Sequence, residues 1–227
     1  MKTLLLSAIL ALNTLACSTL TKPPVEPAIK ALQPPSIKAL DAVAVALVKW
    51  DDEEQRFDIS CSGTWVGRRL VLTAAHCIDN EDQVYVRSNP GEQPLLAFAR
   101  RYDKEHDLGL LAVAVGADSV HGVAAIGQLP EAGTDIQALN NTFGFENSYM
   151  RGYVSGYQRK DDTKPGPMFM MVMIPGSFGA SGSGVFNAEG QIVGVGSWKV
   201  RGWDGSLFYV NAEDIARFLK SGGEGPG

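Results

Sequence analysis

The 227-residue sequence has little with which to build metal or scaffold chemistry, holding only three cysteines and three histidines. Three cysteines cannot form a disulfide framework, and none of them clusters at zinc-ligand spacing. A net charge of −5 supplies no basic face, which argues against nucleic-acid binding. No apolar run approaches the roughly 20 residues that a bilayer-spanning helix needs. Charged residues are only 20% against 45% hydrophobic ones, a globular rather than a disordered composition. There is no convincing internal sequence repeat. What the chain does have is glycine (25) and proline (12), the punctuation of many short strands. Its length allows one domain or two.

The first sixteen residues read as a secretory signal: Lys2 supplies the positive start, Leu4–Leu12 is apolar apart from Ser7, and small residues precede Cys17. Thr14-Leu15-Ala16-Cys17 resembles a bacterial lipobox, with Thr14 where such boxes prefer Leu. That likeness implies lipidation of Cys17; simple cleavage is the competing expectation. Residues 17–36 follow as a tether. Pro23, Pro24, Pro27, Pro34 and Pro35 stiffen an extended path there. The expected location is the bacterial periplasm or cell surface, lipid-anchored or else secreted.

The body begins near Ile37. Ala42–Trp50, Gly63–Val66, Leu70–Thr73, Val84–Arg87, Leu108–Val115, Met168–Ile174 and Ile192–Trp198 are short and strand-like, with turn residues between most of them. Only the C-terminus reads clearly as helix. Asn211 suits an N-cap, Val210 and Ile215 have hydrophobic-staple spacing, and Ile215, Phe218 and Leu219 form an apolar stripe. The fold class is all-β with a C-terminal α-helix.

Three distant segments carry complementary chemistry. Thr73–Cys77 places His76 at the end of a strand-like run, and Gly179–Gly184 sets serines among glycines. Asp107 opens the apolar run Leu108–Leu111 between them. A serine hydroxyl is a weak nucleophile and needs a histidine base, which a buried acid holds in the right tautomer. Glycines beside the serine let the backbone turn tightly and aim amides at a reacting oxygen. Asp103 competes with Asp107 as the acid, although only Asp107 directly precedes the apolar run. Ser183 competes with Ser181 as the nucleophile.

With these boxes in this order, residues 40 to 220 resemble the chymotrypsin-fold (trypsin-like) serine peptidases, nearest to bacterial trypsin-like and glutamyl-endopeptidase-type members. Thr73–Cys77 is similar to the family's TAAHC box, Asp107–Leu111 to its acid box and Gly179–Gly184 to its G-x-S-G box. Arg151–Gly156 resembles the strand opening the second barrel, and Gly196-Ser197-Trp198 the strand lining the specificity pocket. The resemblance implies two six-stranded antiparallel β-barrels, residues 37–130 and 131–227, with His76, Asp107 and Ser181 as the triad of a serine endopeptidase. It also implies an oxyanion hole from the amides of Gly179 and Ser181. Ser197 should bond Asp107, and Cys61 should pair with Cys77, closing a loop worth roughly 3 kcal/mol. The run Ser181–Asn187 resembles its counterpart in glutamyl endopeptidases, which favours Ser181 over Ser183 as nucleophile.

Departures from the family pattern bear on specificity and control. Ala180 replaces the acid that pairs with a newly cut N-terminus in trypsins, so no switch of that kind is expected. Pro175 stands where trypsin has its pocket-base acid, and Gly196 where glutamyl endopeptidases carry a histidine. Lys199 replaces an open-pocket glycine, and Phe178 is placed to shape the rim; Trp198 completes the expected pocket. Lys199 and Arg201 are candidates for attracting an acidic substrate residue. No cofactor is implied. The acidic runs Asp51–Glu54 and Asp79–Asp82 lack a calcium-binding pattern, so no metal is expected. The expected partner is a protein or peptide substrate, with no nucleic acid and membrane contact only through Cys17. Just Ser221–Gly227 follows the terminal helix, too little for a PDZ-sized extension, which suggests a monomer.

Two rivals belong to other classes. One is a catalytically silent binding module on the same fold, the other an α/β-hydrolase esterase using Gly179–Ser183 as a nucleophile elbow. The esterase fold needs the order Ser, Asp, His and a helix after the serine, whereas this chain has the reverse order and continues into strand-like Val185–Asn187.

Overall fold

Apolar residues at alternate positions, interrupted by turn-forming Gly, Asp and Asn, divide the described residues of the body into twelve strands. The computed structural model describes residues 36–79, 81, 83–114, 122–200 and 205–221. The signal, residues 17–35 of the tether, Cys17, Asp82, His121 and Arg201 lie outside the described residues. Strands β1 (Ala44–Asp51), β2 (Arg56–Gly67), β3 (Leu70–Thr73), β4 (Val84–Arg87), β5 (Leu95–Asp103) and β6 (Leu108–Val113) close one barrel in the order β1-β2-β3-β6-β5-β4. The second barrel comprises β7 (Asp135–Asn140), β8 (Ser148–Arg159), β9 (Met168–Met173), β10 (Gly184–Phe186), β11 (Ile192–Trp198) and β12 (Ser206–Asn211). Its order, β7-β8-β9-β12-β11-β10, repeats the topology of the first. All strand pairings in both barrels are antiparallel. The architecture is the all-β, two-barrel fold with a terminal helix that the sequence implied.

The terminal helix α2 (Ala212–Lys220) starts at Asn211, whose side chain accepts from the amides of Glu213 and Asp214 and so satisfies two orphan donors. A second helix, α1 (Ile37–Asp41), corrects the expectation that only the C-terminus is helical. Five residues are too few to show a 3.6-residue period. Ser36, counted in the tether, is its N-cap: the hydroxyl accepts from the Ala39 amide. Leu40 anchors the helix, being almost wholly buried.

Period-two alternation explains how the barrels fill and how they join. In β12, Leu207 and Tyr209 point into the second barrel, while Phe208 and Val210 face the seam. In β3, Val71 fills the first barrel and Leu72 the seam. The seam also takes Leu108, Leu139, Phe169, Phe186 and Leu40, plus Ile215 and Phe218 of α2. All described residues thus belong to one compact unit, and the candidate site lies along this seam.

Candidate active site

His76 sits on a 3₁₀ turn (Ala75–Cys77) that ends β3. Buried Ala75 and Cys77 flank it, and Cys77 is tied to Cys61 of β2 by a disulfide. The turn is therefore fixed on both sides, while the imidazole itself remains about half exposed, at 47%. Antiparallel pairing of β3 with β6 sets Thr73 opposite Gly109 and brings Asp107, just before β6, beneath the turn.

Asp107 adopts a left-handed backbone conformation, φ 55°, unusual for a residue with a side chain. Strain of this kind persists only where the surroundings over-determine it. Here the carboxylate is the determinant. It accepts from the His76 amide (3.0 Å), from Nδ1 of the His76 ring (2.9 Å to Oδ2) and from the Ser197 hydroxyl (2.5 Å). Burial raises the Asp107 pKa, but the bonds from the His76 ring, Ser197 and the His76 amide outweigh it, and the net shift is downward. An ionised Asp107 keeps the proton of the imidazole on Nδ1 and leaves Nε2 as the basic nitrogen. Asp103 is placed differently: its carboxylate accepts from the amides of Glu105 and His106 and from the His106 ring, closing the β5–β6 turn.

The serine loop, residues 177–183, leads into β10. Ser183 is wholly buried, its hydroxyl without a partner among the described residues, whereas Ser181 lines an open pocket. Within the loop the amides of Ala180, Gly182 and Ser183 are spent on carbonyls of Ser177, Gly196 and Ala180. Those of Gly179 and Ser181 donate to no protein acceptor among the described residues, leaving two neighbouring N–H groups for an oxyanion. Gly179 (φ 91°) is compulsory, because a Cβ there would lie 2.1 Å from the Asn141 carbonyl oxygen. Gly182 (φ 80°) likewise packs against Thr73 and the Ser62 carbonyl, docking the serine loop on the first barrel. No hydrogen bond joins the His76 ring to the Ser181 hydroxyl among the described residues; such bonds are often long in unliganded sites and tighten around substrate.

The pocket beside Ser181 has a volume of about 120 Å³, with Phe178, Gly196, Ser197, Trp198 and Lys199 among its walls. Pro175 is not one of them. It lines an adjoining cavity with Phe143 and Phe145, and Leu207, together with Ala180, helps to close the pocket instead. The reason is local: a Cβ on Gly176 would stand 2.4 Å from Leu207 Cδ1, so the leucine fills the space beside the Pro175-Gly176 segment. Phe178 is 81% exposed, and Lys199 Nζ lies 5.8 Å from its ring centre, so the two span the mouth as a cation–π pair. Trp198 is stacked on Phe208 at 3.9 Å. The cleft continues past the pocket in both directions, toward Lys104 and Lys160 on one side and toward Phe57, Arg87 and Glu146 on the other.

Cys61, His76 and Cys77 come close enough to suggest a metal site, but both sulfurs are spent in the disulfide and Nδ1 is held by Asp107. In the acidic runs, Asp79 pairs with Lys104 and Glu81 with Lys49, while Asp51 caps its own turn through the amides of Glu53 and Glu54. Leu207, Ser62 and Asn141 escape notice in the sequence, since no motif marks a residue that acts by filling a pocket or bracing a loop.

The family model for the trypsin-like peptidase domain matches residues 61–195. The chain belongs to this family. A DegP-like protein of Pseudomonas fluorescens, named a probable periplasmic serine endoprotease, is 29% identical over 160 residues, 68% of this chain and 33% of its own length. The human serine protease HTRA4 is 26% identical over 159 residues, 66% of this chain and 32% of its own. This trypsin-like peptidase domain thus spans about a third of the length of the curated relatives it matches. The crystal structure of the Rv3671c protease from M. tuberculosis in its active form superposes with a TM-score of 0.69 at 19% identity, covering 84% of this chain and 86% of that one. A serine endoprotease from Yersinia pestis gives 0.66 at 18% identity, covering 82% and 66%. At such identities these structures establish the fold of the domain.

Proposed function

We propose that the chain is an exported serine endopeptidase that cleaves peptide bonds by acyl transfer. The observation that carries this is the Asp107-held imidazole of His76, which lines a cavity sharing Ser197 and Trp198 with the pocket that Ser181 lines, together with the two undonated amides of Gly179 and Ser181 in the serine loop. Nε2 of His76 takes the Ser181 proton as Oγ bonds to the scissile carbonyl carbon, and the carbonyl electron pair moves onto oxygen between the two amides. Collapse of that adduct breaks the C–N bond, with the amine leaving on the proton from His76. Water then repeats the sequence on the acyl-enzyme and frees Ser181. Asp107 stays ionised throughout and stabilises the imidazolium.

A cleft open on both sides of the pocket suits cleavage within a chain. The small, partly apolar pocket closed by Leu207 suits a small aliphatic residue before the scissile bond, and among the described residues that line it none is an acid that would pair with Lys or Arg. Periplasmic naming of DegP-like relatives supports export. Anchoring through a lipidated Cys17 belongs to the same proposal, and intact mass of the mature N-terminus checks it. A silent binding module is the second reading, favoured by the missing His76–Ser181 bond. A peptide-library digest separates the two. Cleavage after Ala, Val or similar residues, lost in Ser181→Ala, is expected; a digest unchanged by Ser181→Ala would overturn the assignment.

A further inference from the structure

The two peptide groups whose amides form the oxyanion hole are each held from behind. A trans peptide points its N–H and C=O in opposite directions, so fixing the carbonyl aims the amide. Phe143 N–H donates to the Phe178 carbonyl (2.8 Å), which turns the Gly179 amide toward the cleft, and Ser183 N–H does the same through the Ala180 carbonyl for Ser181. Ala180 itself carries only a buried methyl and cannot brace the loop.

The bracing comes from Ser62, a buried residue of β2 in the other barrel. Its hydroxyl donates to the Gly179 carbonyl (2.6 Å), and its amide donates to the Ser181 carbonyl (2.7 Å). The same hydroxyl oxygen accepts from Nδ2 (2.9 Å) and from the backbone amide (3.1 Å) of Asn141, also buried. Asn141 Nδ2 further donates to the Val45 carbonyl, and its Oδ1 accepts from the Asn147 amide. Asn147 Nδ2 then donates to Oδ1 of Asp41, the last residue of α1 (2.6 Å). Phe143 and Asn147, both within residues 141–147, hold left-handed conformations at φ 55° and 54°. Two such residues in one short loop need outside support.

Resting on the serine-peptidase reading, we propose that Asp41, Asn147, Asn141 and Ser62 form a positioning relay that shapes the oxyanion hole. Helix α1 is thereby coupled to the catalytic rate. Ser62 holds the serine loop directly, Asn141 holds the Ser62 hydroxyl, and Asp41 and Asn147 hold Asn141 and the loop that carries the Phe143 amide in register. None of the four touches substrate. The relay acts on the transition state, where charge develops on the oxyanion, and leaves ground-state binding in the pocket largely alone.

The test measures kcat and KM on the best library peptide, inhibition by the corresponding C-terminal aldehyde, and thermal melting, in the full chain. A misplaced reactive geometry of about 1 Å costs on the order of 10²-fold, which sets the expected fall in kcat for Ser62→Ala. Asp41→Ala and Asn147→Gly, the latter keeping a residue suited to positive φ, should lower kcat about tenfold, since they loosen the loop without removing its direct brace. KM should stay within about twofold in each, while affinity for the aldehyde falls with kcat. Asp41→Asn retains the Oδ1 acceptor and should restore near-wild-type kcat. Asp41→Ala, Asn147→Gly and Ser62→Ala all within twofold of wild type would overturn the relay, as would losses of kcat that merely follow the melting curve. A wild-type chain that cleaves no peptide, or whose cleavage survives Ser181→Ala, would remove the serine-peptidase reading itself, and the relay with it.

Discussion

Asp107 shows how one residue can be asked to do several things at once. It keeps a left-handed backbone, gathers bonds from three donors, and orients His76. Replacing it by Asn keeps the shape but permits the wrong imidazole tautomer, and a fall in kcat of about 10⁴ is expected on the precedent of other triads. Its acidity adds a stability effect whose sign follows from the direction of the shift. The folded-state pKa lies below the ordinary 3.8, so ionised Asp107 stabilises the fold fully above the unfolded value. That contribution is lost as pH falls through the depressed one. Melting curves between pH 2 and 6 should therefore show a shallower acid decline for Asp107→Asn than for wild type; identical slopes would refute this. Leu207 offers a second test. Leu207→Gly opens the end of the pocket and should shift cleavage toward larger apolar residues, read from the same peptide library.

Among elements, α2 illustrates a support the sequence does not advertise. Its N-cap at Asn211 is legible, and so is its apolar stripe. Its C-terminal end is held by Arg101 of β5, whose guanidinium donates to the carbonyls of Phe218 and Ser221 and lies 4.2 Å over the Phe218 ring. A cation there satisfies orphan carbonyls and complements the helix dipole. Arg101→Ala should cost about 1–2 kcal/mol, a typical figure for a lost charge-assisted bond, with faster hydrogen exchange confined to α2. The strands tell a similar story. β3, β4 and β11 stand out as uninterrupted strand-like runs, whereas β5 carries the charged pair Arg100-Arg101 on its outer side and gives no clean alternation. The helix α1 escapes because five residues hold no period.

At the scale of the molecule, the parts legible in advance are those that chemistry confines to short motifs. His76, Asp107 and the glycine-set serines each come with characteristic neighbours. Residues that work through the tertiary fold, such as Ser62 and Asn141, have no such signature, for their partners lie 79 and 117 positions away. The two barrels share one topology without a shared sequence, so the repeat is visible only in space. Their seam places the His76 turn and the Ser181 loop on opposite barrels, which makes the site depend on how the barrels meet. The Cys61–Cys77 disulfide fixes one side of that meeting. A Cys61→Ser, Cys77→Ser double variant should lose roughly 3 kcal/mol of stability on the chain-entropy model, seen as a lower denaturant midpoint. The central claim, that Ser181 is a nucleophile activated by His76, is tested most directly by intact-mass analysis after treatment with a fluorophosphonate. A single phosphonyl adduct mapped to Ser181 is predicted, slowed strongly in His76→Ala and absent in Ser181→Ala. An unlabelled wild-type chain, or an adduct that survives Ser181→Ala, would contradict it.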